Sequence, residues 1–207
     1  MTLPRDFYQR STLTVAADLL GKVLVREFRG LRTSGAIVEV EAYIGESDPA
    51  CHAAPGPTAR NAPLYGRPGV AYVYLNYGIH FLVNVVTEGL GSPAAVLIRA
   101  LEPLEGLPTM RRRRRVAMKR RPSRGRLDDH DLCRGPGNLT VAMGITQHEN
   151  WADLTGARLF VEDQHRSVGA VVWGPRVGIS VGVHQPWRAH LAGHACVSGP
   201  SARPRVR

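Results

Sequence analysis

The chain has 207 residues, 27 of them Lys or Arg and 17 Asp or Glu, which gives a formal net charge of +10. Residues 111–126 hold ten of the basic side chains and no acidic one, so 17 basic and 17 acidic residues balance elsewhere. This length and 43% hydrophobic content predict a single globular domain with a real core. The concentrated charge indicates a polyanionic partner.

Several other classes of protein are excluded. No run of about 18 apolar residues is present, so no membrane span is expected. The N-terminal segment 1–10 lacks the apolar stretch of a signal peptide. Three widely spaced cysteines, Cys51, Cys133 and Cys196, argue for a reducing compartment rather than a disulfide framework. We therefore expect a cytoplasmic, nucleoid-associated protein, or a nuclear one if the source is eukaryotic.

Hydrophobic periodicity and turn residues define the expected elements. In chain order they are a helix over 11–20, strands over 22–28 and 33–43, a surface loop over 45–68, strands over 70–76, 79–87 and 94–101, a helix from residue 104 into the arginine run, a helix ending at Met143, and strands over 158–161, 168–173, 177–183 and 189–197. Tyr77-Gly78 should form a β-hairpin turn, with Gly78 at positive φ.

The absence of regular strand–helix alternation predicts an α+β fold. We expect a curved, mostly antiparallel sheet with a protruding β-hairpin and flanking helices. Residues 198–207 are predicted to be a flexible tail.

The strand over 33–43 carries two acidic residues. Its period of two places Ile37, Glu39, Glu41 and Tyr43 on one face. Glu39 is interpreted as a solvent-facing residue. Glu41 lies at the strand end, before the loop that bears His52, which makes it a candidate general base.

The predicted hairpin carries residues suited to handling a nucleotide. Tyr72 should belong to the core, whereas Tyr77 at the tip is hard to bury and could fill the gap left by a nucleotide pushed out of a duplex. Asn84 is a polar residue in an apolar run, where its amide could test the edge of a base or join a structural network. Arg99 is a lone charge in the next strand and should pair with Glu41.

Metal and cofactor sites are not predicted. His190, His194 and Cys196 have no second cluster at zinc spacing. Neither a phosphate-binding glycine loop nor a Gly-x-Ser-x-Gly motif occurs.

Several motifs together resemble the alkyladenine (3-methyladenine) DNA glycosylase family of alkylation repair, in order and with similar spacing from about Asp18 to Val197. They are Ile37–Gly45, Cys51-His52, Arg60-Asn61, Ala71–Gly78, Val96–Gly106, Leu132–Leu139, Arg176–Ile179 and Pro186–Arg188. The sequence departs at His80, where relatives usually carry an aromatic residue.

The resemblance implies a monofunctional glycosylase, without a cofactor, that flips alkylated or deaminated purines out of duplex DNA and hydrolyses the N-glycosidic bond. Glu41 matches the family's general base, and Arg99 matches the arginine that helps to hold the attacking water near the backbone. A backbone carbonyl near Val177 is implied as a further contributor. A lyase mechanism needs an amine nucleophile. The two lysines, Lys22 and Lys119, lie outside the matched pocket.

The resemblance also implies a set of binding residues. Tyr43, His52 and Tyr74 match the side chains that sandwich the flipped base. Tyr77 matches the intercalating tyrosine, and Asn84 the asparagine that crowds the 2-amino group of normal guanine. We expect a monomer whose partner is duplex DNA containing damaged purines.

The arginine run is interpreted as a segment that contacts DNA phosphates irrespective of base sequence. A solvated helix face or a disordered loop is the alternative. Its candidate residues are Arg111, Arg112, Arg113, Arg114, Arg115, Lys119, Arg120 and Arg121. Two other functions stay open: a nucleic-acid-binding protein without catalysis, and a small-molecule transferase on a similar fold.

Overall fold

The computed structural model describes residues 1–119 and 127–199. Its α-helices are α1 (Arg5–Tyr8), α2 (Thr12–Leu19), α3 (Leu107–Lys119) and α4 (Pro136–Met143). Its strands are β1 (Val23–Phe28), β2 (Leu31–Ile44), β3 (Ala71–Asn76), β4 (His80–Val86), β5 (Ala94–Glu105), β6 (Leu159–Glu162), β7 (Val171–Gly174) and β8 (Arg188–Leu191). Within these residues, the helices are too short or too polar to cross a membrane.

The strands form one antiparallel sheet in the order β3-β4-β5-β2-β1-β6, which confirms the α+β prediction. The long strand β2 pairs with β5 along one edge. On its other edge, its first half pairs with β1 and its second half with β8, which in turn pairs with β7. The second half of β2 is therefore enclosed between strands from distant parts of the chain.

The hairpin of β3 and β4 turns at Tyr77 and Gly78, as predicted. Both residues have positive φ, +48° and +66°, which is the backbone conformation of a type I′ turn. The helix over 12–19 and the helix that ends at Met143 are likewise confirmed. Sequence periodicity did not predict α1, a single turn of helix.

Four predicted boundaries are wrong. Strand β5 continues to Glu105, because Pro103 lies opposite Gly35 beside a register shift that accommodates it in the ladder. Helix α3 consequently begins at Leu107 rather than at residue 104. In the last quarter of the chain, β7 begins later than predicted, and β8 ends at Leu191, where turns take over.

Residues 177–183 were predicted as a strand but form an irregular segment. The backbone N–H of Val177 binds a side-chain carboxylate instead of a neighbouring strand. Gly178 and Gly182 adopt positive φ, which turns the chain away from an extended path.

Strand β2 is buried on both faces from Thr33 to Ala42. A bulge against β5 leaves Val38 unpaired, so Ile37 packs in the main core with Val40 and Ala42, whereas Val38 packs in a separate cluster. The prediction that Ile37 shares a face with the glutamates is wrong, because an extra residue in a bulge inverts the side-chain alternation.

Two apolar clusters hold the helices and the long loop on the sheet. The main core packs α2 and α4 against the strands, with Leu19, Ile98 and Met143 fully enclosed. A smaller cluster joins Cys51 and Leu64, on the loop over 45–68, to strand residues such as Tyr72. This second cluster keeps the loop beside the second half of β2.

Candidate active site

Glu41 is completely buried in the second half of β2. Its Oε1 accepts a hydrogen bond from the Val177 backbone N–H at 2.7 Å and lies 3.2 Å from Nη1 of Arg99. Its Oε2 accepts a hydrogen bond from the Tyr43 hydroxyl at 2.9 Å. Three donors from three parts of the chain therefore fix the carboxylate. Since an ionised carboxylate offers about four acceptor positions, roughly one remains for a further donor.

Arg99 reaches this carboxylate because of a bulge in β5. Ala100 lies opposite Glu39 and Ile98 opposite Val40, which leaves Arg99 as the extra residue between them. Bulges commonly re-aim a side chain in this way near active sites. The predicted ion pair between Arg99 and Glu41 is confirmed.

Glu39 contradicts the expectation that it faces solvent, since it is fully buried. Its Oε1 accepts hydrogen bonds from Nε of Arg99 at 2.8 Å and Nε of Arg188 at 2.7 Å. Its Oε2 accepts one from the backbone N–H of Ser198 at 2.6 Å. Burial raises the pKa of Glu39, but the charge of Arg99 and the hydrogen bonds outweigh it, so the pKa lies below its ordinary value.

Ser198 was predicted to begin a flexible tail, yet it is buried. Its Oγ accepts a hydrogen bond from Nη2 of Arg99 at 3.2 Å, and its carbonyl accepts one from Nη2 of Arg188 at 2.8 Å. The C-terminal part of the described chain therefore closes the back of the arginine site. The remainder of the predicted tail, 200–207, lies outside the described residues.

Aromatic side chains form one wall beside Glu41. The rings of His52 and Tyr74 lie 4.4 Å apart at 65°, and Tyr72 stacks on Tyr74 at 5.1 Å. Nδ1 of His52 lies 2.8 Å from the Tyr72 hydroxyl. Burial, and secondarily the charge of Arg60, lower the pKa of His52, while burial raises the pKa of Tyr72 to about 12. The wall is therefore aromatic and uncharged at neutral pH.

A cavity of about 500 Å³ opens between this wall, the hairpin and residues 177–181. Its lining includes the predicted residues Tyr43, His52, Tyr74, Tyr77, Asn84 and Arg99. Glu41 lies directly behind that lining, because Tyr43, Arg99 and Val177, which bind its carboxylate, all face the cavity. The sequence-predicted site residues are thus brought together in one place.

Asn84 and Tyr77 lie at opposite ends of the hairpin. Asn84 is 5% exposed and donates a hydrogen bond from Nδ2 to the Tyr72 carbonyl at 3.1 Å, so the interior polar residue has a partner. Tyr77 at the tip is 83% exposed, with Leu75 and Ile79 partly exposed beside it. Next to this tip, His80 lies so close to Gly137 that a Cβ there would be 2.7 Å from its Cγ. The hairpin therefore rests on α4.

Arg176 lies in one of the family motifs, but no role was predicted for its side chain. It is fully buried and forms a two-point ion pair with Asp48, at 2.5 and 2.8 Å. It also donates to the carbonyl of Ala42 at 3.0 Å, and its guanidinium lies over the rings of Tyr43 and Trp187, at 4.7 and 5.1 Å. One side chain thus joins β2, the long loop and the segment that delivers Val177.

The arginines of α3 fall into two groups. Arg113 donates to the carbonyl of Ala142, and Arg114 donates to the side chain of Asn138, so both face α4. Burial lowers the pKa of each of these two arginines.

The remaining described arginines of α3 lie nearer the surface. Arg111 pairs with Asp129, whereas Arg112 and Arg115 are exposed and line a shallow depression. Lys119 ends the helix, and the predicted phosphate contacts of Arg120 and Arg121 lie outside the described residues.

A buried carboxylate behind an aromatic cavity, beside an exposed aromatic residue at a hairpin tip, fits an enzyme that hydrolyses N-glycosyl bonds in DNA. Residues 6–195 match the methylpurine-DNA glycosylase family, and the chain belongs to that family. This confirms the resemblance found in the sequence and decides against both a non-catalytic binding protein and a small-molecule transferase.

Three relatives illustrate the similarity. A protein of Methanocella arvoryzae is 48% identical over 95% of both chains. One of Rhodopseudomonas palustris is 47% identical, covering 97% of this chain and 92% of its own. One of Burkholderia lata is 45% identical, covering 97% and 93% respectively. All three bear the provisional name 3-methyladenine DNA glycosylase.

The Arg176–Asp48 pair gives a stability prediction. Asp48→Asn leaves a fully buried guanidinium without its counter-charge, which costs about 3–5 kcal/mol in the free energy of unfolding. Asp18→Asn is the matched control, because its pair with Arg10 is exposed and is worth about 1 kcal/mol or less. Urea denaturation measures both, and equal small losses would contradict the role given to the buried pair.

Proposed function

We propose that the chain excises 3-methyladenine and related damaged purines from duplex DNA, initiating base excision repair with Glu41 as general base. The observation that carries this proposal is the Glu41 carboxylate, which three donors hold directly behind the lining of the aromatic cavity. Its remaining acceptor position suits a water molecule. The names of the relatives support the choice of substrate.

In the proposed reaction, the N-glycosidic bond breaks and its electron pair leaves with the purine. Water forms the new bond to C1′ and gives its proton to Glu41. A base with a positive charge becomes neutral as it leaves, so it departs readily. The negative charge of Glu41 also stabilises the oxocarbenium character that develops on the sugar.

Arg99 limits the freedom of this carboxylate. The guanidinium of Arg99 binds Glu39 through Nε and directs Nη1 at Glu41. It therefore adds a fixed positive charge beside the general base, Glu41. Binding of one carboxylate from several directions keeps it in a single orientation before substrate arrives. Such pre-organisation lowers the barrier, because little rearrangement is needed during the reaction.

The uncharged aromatic wall is suited to a flat, electron-poor base. Tyr43, His52 and Tyr74 all line the cavity, and alkylated purines are attracted to such ring faces by cation–π interaction. A neutral His52 avoids repulsion of a cationic base. Asn84, held by the Tyr72 carbonyl, faces the same cavity and supports selection against the 2-amino group of guanine.

Flipping the base out of the duplex leaves a gap that needs a filler. Tyr77 is suited to that part, because it projects at the tip of a hairpin that rests on α4. The ring is largely exposed, so it is accessible to a duplex.

Arg112 and Arg115 are the described arginines best placed for phosphate contacts. They project into solvent from α3, whereas Arg113 and Arg114 donate hydrogen bonds to α4 and hold the two helices together. Helix α4 contacts both α3 and the hairpin strand β4, so these arginines belong to the same part of the molecule as the hairpin. We propose a monomeric enzyme of the prokaryotic cytoplasm, in keeping with its bacterial and archaeal relatives.

Glu41→Gln tests the function directly. Loss of the base should slow single-turnover release of 3-methyladenine from duplex DNA by about 10²–10⁴-fold, because proton transfer from water is then lost. Glu149→Gln makes the same change at another buried carboxylate that pairs with an arginine, Arg26, and should keep the wild-type rate. Wild-type activity in the Glu41→Gln enzyme would contradict the proposed mechanism.

Tyr77→Ala tests the wedge. We expect weaker binding of lesion-containing duplex and slower base release, since the flipped state loses the ring that fills its gap. Tyr77→Phe keeps the ring and should remain close to wild type in both measurements. Fluorescence anisotropy and single-turnover assays would read the two effects. An alanine variant that flips and excises normally would exclude this role.

Replacing Arg112 and Arg115 by Gln tests the phosphate contacts. The slope of log affinity against log salt concentration should flatten by about 2, because two fewer counterions are released. The matched double change at Arg113 and Arg114 should reduce stability and leave that slope unaltered. If the slope is unchanged when Arg112 and Arg115 are replaced, these two arginines do not contact DNA phosphates.

A further inference from the structure

The second buried glutamate of β2 is not used by the proposed mechanism. Glu39 lies two residues before Glu41, is fully buried and accepts three hydrogen bonds at 2.6–2.8 Å. Burying a second carboxylate so close to the first is costly unless it is fully paired. Its position therefore calls for a role beyond filling the sheet.

Glu39 and Glu41 bind different parts of one guanidinium. Nε of Arg99 donates to Glu39 at 2.8 Å, while Nη1 lies 3.2 Å from Oε1 of Glu41. Arg99 is the extra residue of a β-bulge, so the strand ladder does not by itself fix where the long side chain points. With Nε held by Glu39, rotation of the fork is restricted and Nη1 is directed at the proposed base.

A second layer holds Glu39 in turn. Nε of Arg188, on β8, and the backbone N–H of Ser198 both donate to it. Ser198 also accepts from Nη2 of Arg99 and, through its carbonyl, from Arg188. The two arginines balance the charges of the two glutamates, so the buried group is neutral as a whole.

We propose that Glu39 is a positioning residue of the glycosylase reaction, acting through Arg99 on Glu41, with Ser198 closing the network from the C-terminal segment. This inference rests on the proposed role of Glu41. Arg99 held from one side only would swing away from Glu41, and the base would lose its fixed orientation. The reaction should suffer, while the cavity that binds the lesion stays intact.

Glu39→Gln separates this role from a purely structural one. The single-turnover rate constant should fall about tenfold or more, whereas the affinity for lesion duplex should change less than about threefold. Glu39→Asp, which keeps the charge, should recover part of the rate. Glu149→Gln, the control at a buried arginine pair outside the cavity, should lower stability without lowering the rate.

A double-mutant cycle supplies the decisive readout. In an Arg99→Lys background, which lacks the planar fork, Glu39→Gln should slow the reaction less than about twofold further, because its effect passes through Arg99. If the double variant is slowed by the product of the two single fold-changes, the substitutions act independently and the inference is overturned. If Glu39→Gln does not fold, Ser198→Ala in the same cycle replaces it, with a smaller expected loss, and an unaltered rate there would also overturn it.

An NMR resonance of Arg99 distinguishes failure of the proposed function from failure of the role given to Glu39. The Nε–H signal, assigned through Arg99→Lys, should shift in Glu39→Gln or Ser198→Ala whether or not the enzyme is active. A wild-type protein that releases no base would overturn the proposed function. If the wild-type protein is active but neither the Arg99 signal nor the rate changes in these variants, only the role of Glu39 is overturned.

Discussion

Two glutamates and one arginine, all buried, share a set of hydrogen bonds in the second half of β2. Charges enclosed in this way are stable only when each has its partner in place. Arg99 therefore cannot be separated from either carboxylate without a large cost. Because the partners come from β2, β5 and the C-terminal segment, the fold is complete only when the proposed base is in position.

Arg176 extends the same constraint outward. Its pair with Asp48 holds the long loop that carries His52, and its chain neighbour Val177 donates to Glu41. Stacking of its guanidinium on Tyr43 supports one wall of the cavity from behind. The aromatic cavity and the carboxylate are thus positioned by one group of ion pairs.

Local patterns in the sequence were sufficient for the hairpin, for α2 and α4, and for the pairing of Arg99 with Glu41. They could not show that Glu39 is buried, because the groups that cover its face, Arg188 and Ser198, come from the far end of the chain. The segment 177–183 has the composition of a strand, but its first N–H binds a distant carboxylate. Partners far apart in the chain decide such cases, and periodicity contains no information about them.

Besides acting as general base, Glu41 is proposed to contribute a fixed negative charge beside the sugar as the bond breaks. Affinity for two abasic-site analogues in duplex DNA tests this role most directly: a cationic pyrrolidine, which mimics the developing charge, and a neutral tetrahydrofuran. The wild-type protein should prefer the pyrrolidine duplex, and Glu41→Gln should remove this preference. Equal binding of both analogues by the wild-type protein would contradict the role.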